Sequence, residues 1–152
     1  MIKQFINLNG SIVSSDYQIF TVSNRSFRYG DGLFESMRYM NGQLKFPDLH
    51  IDRVLKGMEI LKLENGFHLD SWFLREKVEE LARRNKIGPD ARFRLTVFRD
   101  SGGLYSPDSN KMAYVLESQS MDESQYTFNN KGLIIDVYDE LTKPVNILSN
   151  LK

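Results

Sequence analysis

Residues 29–35 read Tyr-Gly-Asp-Gly-Leu-Phe-Glu, and they lie inside the stretch 24–61 around which the rest of the sequence is organised. Two glycines flanking an aspartate free the backbone immediately before an apolar, aromatic-rich segment, residues 33–40, that alternates like a half-buried strand. Asn41-Gly42 then predicts a turn, and an arginine, Arg53, follows in the first part of the next predicted helix. Flexible backbone close to a helix-borne guanidinium is an arrangement that can bind an anion.

The composition narrows the class of protein. With 152 residues, of which 41% are apolar, the chain can build one ordinary domain or slightly more, so disorder is not expected. Acidic and basic residues balance at 20 each, so no overall field favours nucleic acid or an anionic membrane. The absence of cysteine excludes disulfides and zinc–thiolate sites. Because neither a secretory signal nor a run of about 18 apolar residues occurs, we expect a soluble, cytoplasmic protein.

Hydrophobic periodicity predicts an antiparallel sheet and two helices. Asn9-Gly10 separates two short apolar runs and predicts a β-hairpin at the start of the chain. Apolar residues repeat at helical spacing in residues 47–61, and again from about Asp70 to Lys86. The predicted strands are residues 5–8, 12–13, 19–22, 33–40, 43–46, 91–99 and 112–117.

The last third of the chain contains a loop, a linker and a further predicted strand. Residues 100–110 are rich in glycine and too numerous for a minimal hairpin, so we expect a loop that can reach a ligand. Residues 119–130 are polar and lack a period, and residues 132–138 read as a new strand. We therefore expect a small α+β domain at 1–118, a linker at 119–130 and the start of a second domain at 131–152.

The motif residues resemble those of the class IV (fold-type IV) pyridoxal-phosphate enzymes, which include branched-chain aminotransferases, D-amino-acid aminotransferases and aminodeoxychorismate lyases. The matching features are Arg25, residues 29–35, Asn41-Gly42 and the His-Ile-Asp-Arg segment 50–53, in order and at family-like spacing. The resemblance implies a D-amino-acid aminotransferase-like α+β fold, in which a two-layer domain of antiparallel sheet and two helices precedes the first strand of a large domain. It also implies that the chain corresponds to the N-terminal half of such an enzyme.

The resemblance further implies pyridoxal 5′-phosphate as the cofactor. Arg53 stands where the family has its phosphate-binding arginine, and a guanidinium can donate two parallel hydrogen bonds. Lys152 lies at a family-like distance after the predicted strand, so it is expected to form the Schiff base and to act as the catalytic lysine. Lys143, which precedes Asn146 by three positions, is the alternative. His50 either supports the phosphate region or is a structural histidine bonded to backbone.

Four residues are expected to line the substrate pocket. Tyr29 and Phe34 would face the substrate side of the cofactor ring, although core packing is the common role of aromatic residues in strands. The glycine-rich loop after Arg99, which carries Tyr105, resembles the corresponding loop of aminodeoxychorismate lyases but lacks its second arginine. Arg99 and Tyr105 complete the predicted pocket.

The two carboxylates of the motif are expected to be structural. Glu35 should point to the face opposite Phe34 and form an ion pair, with Arg25 or Arg38 as the expected partner. Asp31 fits a turn-stabilising acceptor better than a catalytic acid. No metal site is predicted.

The function that these expectations favour is amino transfer between an amino acid and a 2-keto acid through a lysine Schiff base. Two alternatives stay open: an aminodeoxychorismate lyase that releases pyruvate to give 4-aminobenzoate, and a non-catalytic folded fragment or dimerisation module. The resemblance implies a homodimer with small-molecule substrates. Neither nucleic acid nor membrane is an expected partner, because the arginines are scattered among acidic residues.

Overall fold

The computed structural model describes residues 4–100, 102–121, 130–142, 144–149 and 151. Six strands form one antiparallel sheet in the order β2-β1-β6-β5-β3-β4. The two long helices pack on one face, which confirms the predicted two-layer α+β domain. The elements in chain order are β1 (Phe5–Leu8), β2 (Ser11–Ser14), α1 (Arg25–Tyr29), β3 (Gly32–Met40), β4 (Gln43–Leu44), α2 (Pro47–Leu61), α3 (Ser71–Asn85), β5 (Ala91–Arg99) and β6 (Met112–Ser120).

Both predicted Asn-Gly turns occur, and each connects two antiparallel strands. Asn9 and Gly10 have φ values of 50° and 90° between β1 and β2. Asn41 and Gly42 have φ values of 54° and 72° between β3 and β4. Positive φ at both central residues matches the right-handed twist of the strands, which explains why this dipeptide predicts hairpins well.

The helices begin and end close to the predicted positions. Pro47 occupies the first turn of α2, where its missing N–H leaves no hydrogen bond unmade. The carboxylate of Asp70 caps α3 by accepting from the backbone N–H of Phe73 at 2.6 Å. Each helix ends in a lysine with left-handed φ, Lys62 after α2 and Lys86 after α3.

Alternation along the central strands places the main core between the sheet and the helices. On β5, residues Phe93, Leu95 and Val97 are buried against this layer, whereas Arg92 and Arg94 face the opposite side. The helices supply further core residues of very low exposure, namely Val54, Met58, Leu74, Val78 and Leu81.

The opposite face of the sheet has a smaller apolar cluster around Phe98 and Val115. The predicted strand at residues 19–22 does not form, because Ile19 instead packs on this cluster and Phe20 contacts the Phe98 ring with centroids 4.9 Å apart. The five-residue helix α1 follows, capped by the side chain of Asn24. Five residues are too few to reveal a helical period in the sequence.

The segment that follows β6 is described only in part. Residues 132–139 carry no strand assignment and their large apolar side chains are exposed, so the predicted strand at 132–138 is not observed. A strand requires a hydrogen-bonded neighbour, and no described segment pairs with these residues. β6 continues to Ser120, and the division at 118 and 130 stays a prediction. Across the described ranges, every helix is too short or insufficiently apolar to span a bilayer.

We predict that Phe93→Ala lowers the free energy of unfolding by about 3–5 kcal/mol, because Phe93 is fully buried between sheet and helices and truncation leaves a cavity. Denaturant unfolding followed by circular dichroism would measure the change. Trp72→Ala is the control, since this exposed indole should contribute within about 0.5 kcal/mol. Equal effects of the two substitutions would contradict the assigned core.

Candidate functional site

Glu35 is a carboxylate at a core position of β3. It lies on the helix-facing side of the strand, between the buried residues Leu33 and Met37, and is only 2% exposed. The Nδ1–H of His50 donates to its Oε2 at 2.8 Å, and the Nε–H of Arg53 donates to its Oε1 at 2.8 Å. The Nη2 of Arg53 also donates to Oε2. Both partners lie one turn apart on α2, so a single buried carboxylate joins this helix to the sheet.

The contacts between Glu35 and Arg53 favour the charged form of both side chains, as the direction of each pKa shift shows. Burial opposes ionisation of Glu35, but the hydrogen bonds from Arg53 and His50 outweigh it and hold the pKa of Glu35 below its usual value. The hydrogen bonds from Arg53 to Glu35 raise the pKa of the guanidinium. The Nη2 of Arg53 also lies 3.0 Å from Nδ1 of His50, but an Nδ1 that donates to Glu35 cannot accept from Arg53.

The prediction that Glu35 forms an ion pair with Arg25 or Arg38 is wrong. Arg38 differs from Glu35 by an odd number of positions on β3, so its side chain leaves from the opposite face, where it approaches Asp90 at 3.6 Å. Arg25 bonds Asp31 instead. Of the two expectations for His50, support of the Arg53 region agrees with its contact to Glu35.

Arg53 lines a cavity of about 380 Å³ at the edge between α2 and β3. Its side chain is 55% exposed although its Nε–Nη2 edge is bound to Glu35. In the part of the chain that the structure describes, Nη1 has no hydrogen-bond partner. The cavity is lined by Leu33, Phe34, Glu35, Arg53, Lys56, Gly57, Ile60 and Leu151.

This lining fits a small aromatic phosphate such as pyridoxal phosphate. Arg53 and Lys56 supply two cations one helical turn apart, which suits a phosphate dianion. Leu33, Phe34 and Ile60 supply an apolar wall that suits a planar ring. The described residues contain no group of three or more His, Cys, Asp or Glu that could bind a metal ion.

Gly57 allows close packing at the floor of the cavity. A Cβ at this position would lie 2.7 Å from Cδ2 of Leu33 and 3.4 Å from Cδ2 of Leu151. A methyl group would therefore displace Leu33, so the glycine permits β3, α2 and the segment ending at Leu151 to meet.

Phe34 stands between two cavities. It lines the Arg53 cavity and a second cavity of about 220 Å³ that also contacts Gly30, Gly32 and Phe98. The guanidinium carbon of Arg94 lies 3.8 Å from the centroid of the Phe34 ring, which holds the ring by a cation–π contact. Phe34 thus lines both cavities, and its place on the substrate side of a cofactor stays a prediction.

Asp31 is an ion-pair centre rather than the turn acceptor that was expected. Its Oδ2 accepts from Nε of Arg25 at 2.7 Å and from Nε of Arg99 at 2.9 Å. Burial opposes its ionisation, but the hydrogen bonds from Arg99 and Arg25 outweigh this and hold the pKa of Asp31 below its usual value. Arg25 then donates to the carbonyl of Leu104 at 2.9 Å, which ties the glycine-rich loop to β3.

The predicted substrate-pocket residues are not all brought together. Arg99 is buried, and its remaining nitrogens donate to Oδ1 of Asn110 at 2.7 Å and to the carbonyl of Leu61 at 2.5 Å. Tyr29 stacks near Arg25, and Tyr105 is fully exposed. Of the four predicted residues, only Phe34 lines the Arg53 cavity, and the pocket as a whole stays a prediction.

The two candidate lysines, Lys143 and Lys152, lie outside the described residues. The neighbour of Lys152 in the chain, Leu151, lines the cavity with Arg53. Sequence reasoning did not identify Lys56, Gly57 or Leu151 as site residues. The central role of Glu35 did have a signal in the sequence, because a carboxylate at an inward position of an alternating strand requires cationic partners.

The comparisons with known proteins agree with this geometry. The model of the family described as "Amino-transferase class IV" matches residues 32–146, and the chain therefore belongs to the class IV aminotransferases. No curated protein sequence matches the chain.

Among solved structures, the branched-chain aminotransferase from Thermoproteus uzoniensis with norvaline is 23% identical over 80% of this chain and 42% of that one, with a TM-score of 0.68. The Escherichia coli enzyme is 19% identical over 78% and 41%, with a TM-score of 0.69. The Thermobaculum terrenum enzyme in its PLP form is 12% identical over 80% and 41%, with a TM-score of 0.65. These likenesses show the shared fold, and the chain spans about two-fifths of the length of each neighbour.

We predict that Asp31→Asn flattens the acid limb of the stability profile. An aspartate whose folded pKa is depressed stabilises the fold fully above its ordinary pKa of 3.8, and this contribution is lost as the pH falls through the lower folded value. Denaturant unfolding at a series of pH values between about 2 and 7 would measure the slope.

The control is Asp48→Asn, because this carboxylate is 71% exposed and lies 3.6 Å from Arg75. Its substitution should leave the acid limb unchanged. If the slope of stability against pH is unaltered in Asp31→Asn, the ion pairs of Asp31 with Arg25 and Arg99 add no stability.

Proposed function

We propose that this chain supplies the phosphate-binding side and the reactive lysine of a pyridoxal-phosphate-dependent aminotransferase, which transfers an amino group between an amino acid and a 2-keto acid. The observation that carries the proposal is the Arg53 guanidinium, fixed on one edge by buried Glu35 and open on the other to a cavity of cofactor size. Family membership supports the reaction class.

The phosphate position is assigned to Arg53 and Lys56. Arg53 lines the cavity and has an Nη1 donor that Glu35 does not use, and Lys56 lines the same cavity as a second positive charge. A phosphate placed there leaves the apolar side, formed by Leu33, Phe34 and Ile60, to contact a ring. The polar and apolar parts of the cavity thus match the two parts of pyridoxal phosphate.

Lys152 is the proposed reactive lysine, in preference to Lys143. Lys152 follows Leu151 in the sequence, and Leu151 lines the cavity. Pyridoxal phosphate supplies an aldehyde that condenses with an amine and a ring that acidifies the α-hydrogen of a bound amino acid. In this proposal the amine of Lys152 holds and moves that proton as a general acid/base.

The substrate side of the site is assigned to Phe34, with Tyr29 and the loop that carries Tyr105 as further candidates. Phe34 joins the Arg53 cavity to the second cavity beside Gly30 and Gly32, so a substrate in that second cavity would contact the cofactor position across this ring. The buried ion pair of Arg99 with Asp31 suggests that Arg99 supports the loop and does not touch the substrate.

Homodimerisation is part of the same proposal and rests on the family resemblance, whereas the proposed division at residues 118 and 130 rests on the polar, aperiodic composition of residues 119–130. A cytoplasmic location is proposed with them. Sedimentation of the purified chain would test the dimer. A non-catalytic dimerisation module remains the alternative from a different class, since the chain spans about two-fifths of its structural neighbours.

We predict that incubation of the chain with pyridoxal phosphate followed by borohydride places a stable adduct on Lys152. Peptide mapping by mass spectrometry would locate it. Lys152→Arg should abolish the adduct, whereas the matched control Lys143→Arg should retain it. An adduct on Lys143 would reverse the assignment, and no adduct on either lysine would favour the module.

We predict keto-acid-dependent amino transfer rather than pyruvate release from aminodeoxychorismate. The loop at residues 100–110 lacks the second arginine of the lyase pattern, which weakens the lyase alternative. Parallel assays of the two reactions would measure the preference. Pyruvate formation without a keto-acid requirement would establish the lyase instead.

A further inference from the structure

The burial of Glu35 is unfavourable by itself and calls for a physical explanation. A carboxylate removed from water is destabilising unless its oxygens are bonded, and an apolar side chain could fill the same space between Leu33 and Met37. Both oxygens are instead bonded to side chains of α2, Oε1 to Arg53 and Oε2 to Arg53 and His50. The arrangement therefore holds a half-exposed arginine by means of a fully buried acid.

The geometry of this contact leaves Arg53 with one defined orientation. Glu35 occupies the Nε–Nη2 edge of the guanidinium with two roughly parallel hydrogen bonds, which fixes the plane as well as the position of the fork. His50 holds the second carboxylate oxygen and so limits rotation of the Glu35 side chain. The Nη1 side of the fork remains for a ligand in the Arg53 cavity.

We infer that Glu35 is the positioning residue of the phosphate site: it orients the Arg53 guanidinium toward the cavity before the phosphate monoester binds, and His50 in turn orients Glu35. This inference rests on the proposed role of Arg53 in phosphate binding. It adds that phosphate binding depends on the negative charge of Glu35, which lies on the other side of the Arg53 guanidinium from the phosphate.

The sign of one substitution separates positioning from simple electrostatics. The charge of Glu35 partly offsets that of Arg53 and repels a phosphate, so electrostatics alone predicts tighter binding when this charge is removed. Positioning predicts weaker binding, because an unrestrained arginine must lose its rotamer freedom when the ligand arrives. Ordering one such side chain corresponds to about a 2- to 12-fold change in affinity.

Glu35→Gln is the appropriate variant because it keeps the size of the side chain. The amide nitrogen of the glutamine must face a donor of either Arg53 or His50, so at least one hydrogen bond is lost. Asp31→Asn is the matched control, since Asp31 likewise accepts hydrogen bonds from two side chains, those of Arg25 and Arg99, but does not line the Arg53 cavity. Its effect should be confined to stability.

The experiment measures dissociation constants of pyridoxamine 5′-phosphate and of inorganic phosphate for the full chain by calorimetry. We expect Glu35→Gln to weaken both ligands by about 2- to 12-fold, Arg53→Gln to abolish the response, and Asp31→Asn to leave it unchanged. If Arg53→Gln leaves both constants unchanged, the proposed phosphate role fails. If Arg53→Gln weakens binding while Glu35→Gln does not, or tightens it, only the positioning role is overturned.

A measurement on the native chain covers the case in which Glu35→Gln does not fold. The Nε–H of Arg53 bonds Glu35 and should give a ¹⁵N NMR signal protected from solvent exchange, both before and after phosphate is added. Rapid exchange of this proton in the ligand-free chain would overturn the inference. A protected signal that stays in place while the Nη signals shift on phosphate addition would support it.

Discussion

The ion pair between Glu35 and Arg53 connects the sheet to the helix that carries the site. A strand residue and a helix residue are joined through a carboxylate with very little exposure, so any movement of α2 relative to β3 would expose or unpair a buried charge. Such a loss is far more unfavourable than a small change of apolar contact. Removing the partners of Glu35 would leave a buried carboxylate without its hydrogen bonds, so this contact holds α2 in a defined position relative to β3.

Asp31 applies the same principle at the other end of the motif. It binds Arg25 and Arg99, which belong to α1 and β5, and these arginines extend to the carbonyls of Leu104 and Leu61. The two carboxylates of the segment 29–35 thus act as anchors for different parts of the fold. Neither is arranged as a proton donor, because each is held ionised by two cationic or donating partners.

Much of the fold was predictable because its signals are local. Asn-Gly turns, alternation on β3 and β5, and the apolar stripes of α2 and α3 each depend on a few neighbouring residues. The structure of residues 19–22 was not predictable in this way, because a short apolar run can either pair as a strand or pack on one face of a sheet. Contact with the Phe98 cluster, which is distant in sequence, favours packing here. Residues 132–138 show the same limit, since strand formation needs a partner.

The site was predictable only in outline: Arg53 and Phe34 follow from the motif and both line the cavity, whereas Lys56, Gly57 and Leu151 left no signal, because their roles arise where three separate segments meet. The predicted ion-pair partners of Glu35 were wrong. The alternation of β3 alone excludes Arg38 as a partner, because its side chain leaves from the opposite face of the same strand.

The position of Gly57 on α2 determines how far the Leu151 contact lies from Arg53. It lies four positions after Arg53 on α2, and four residues of an α-helix advance about 6 Å along the axis. The helix presents the Arg53 guanidinium at one end of this interval and the contact with Leu151 at the other. The separation between the Arg53 and Leu151 sides of the cavity is therefore set by the rise of a single helix along its axis.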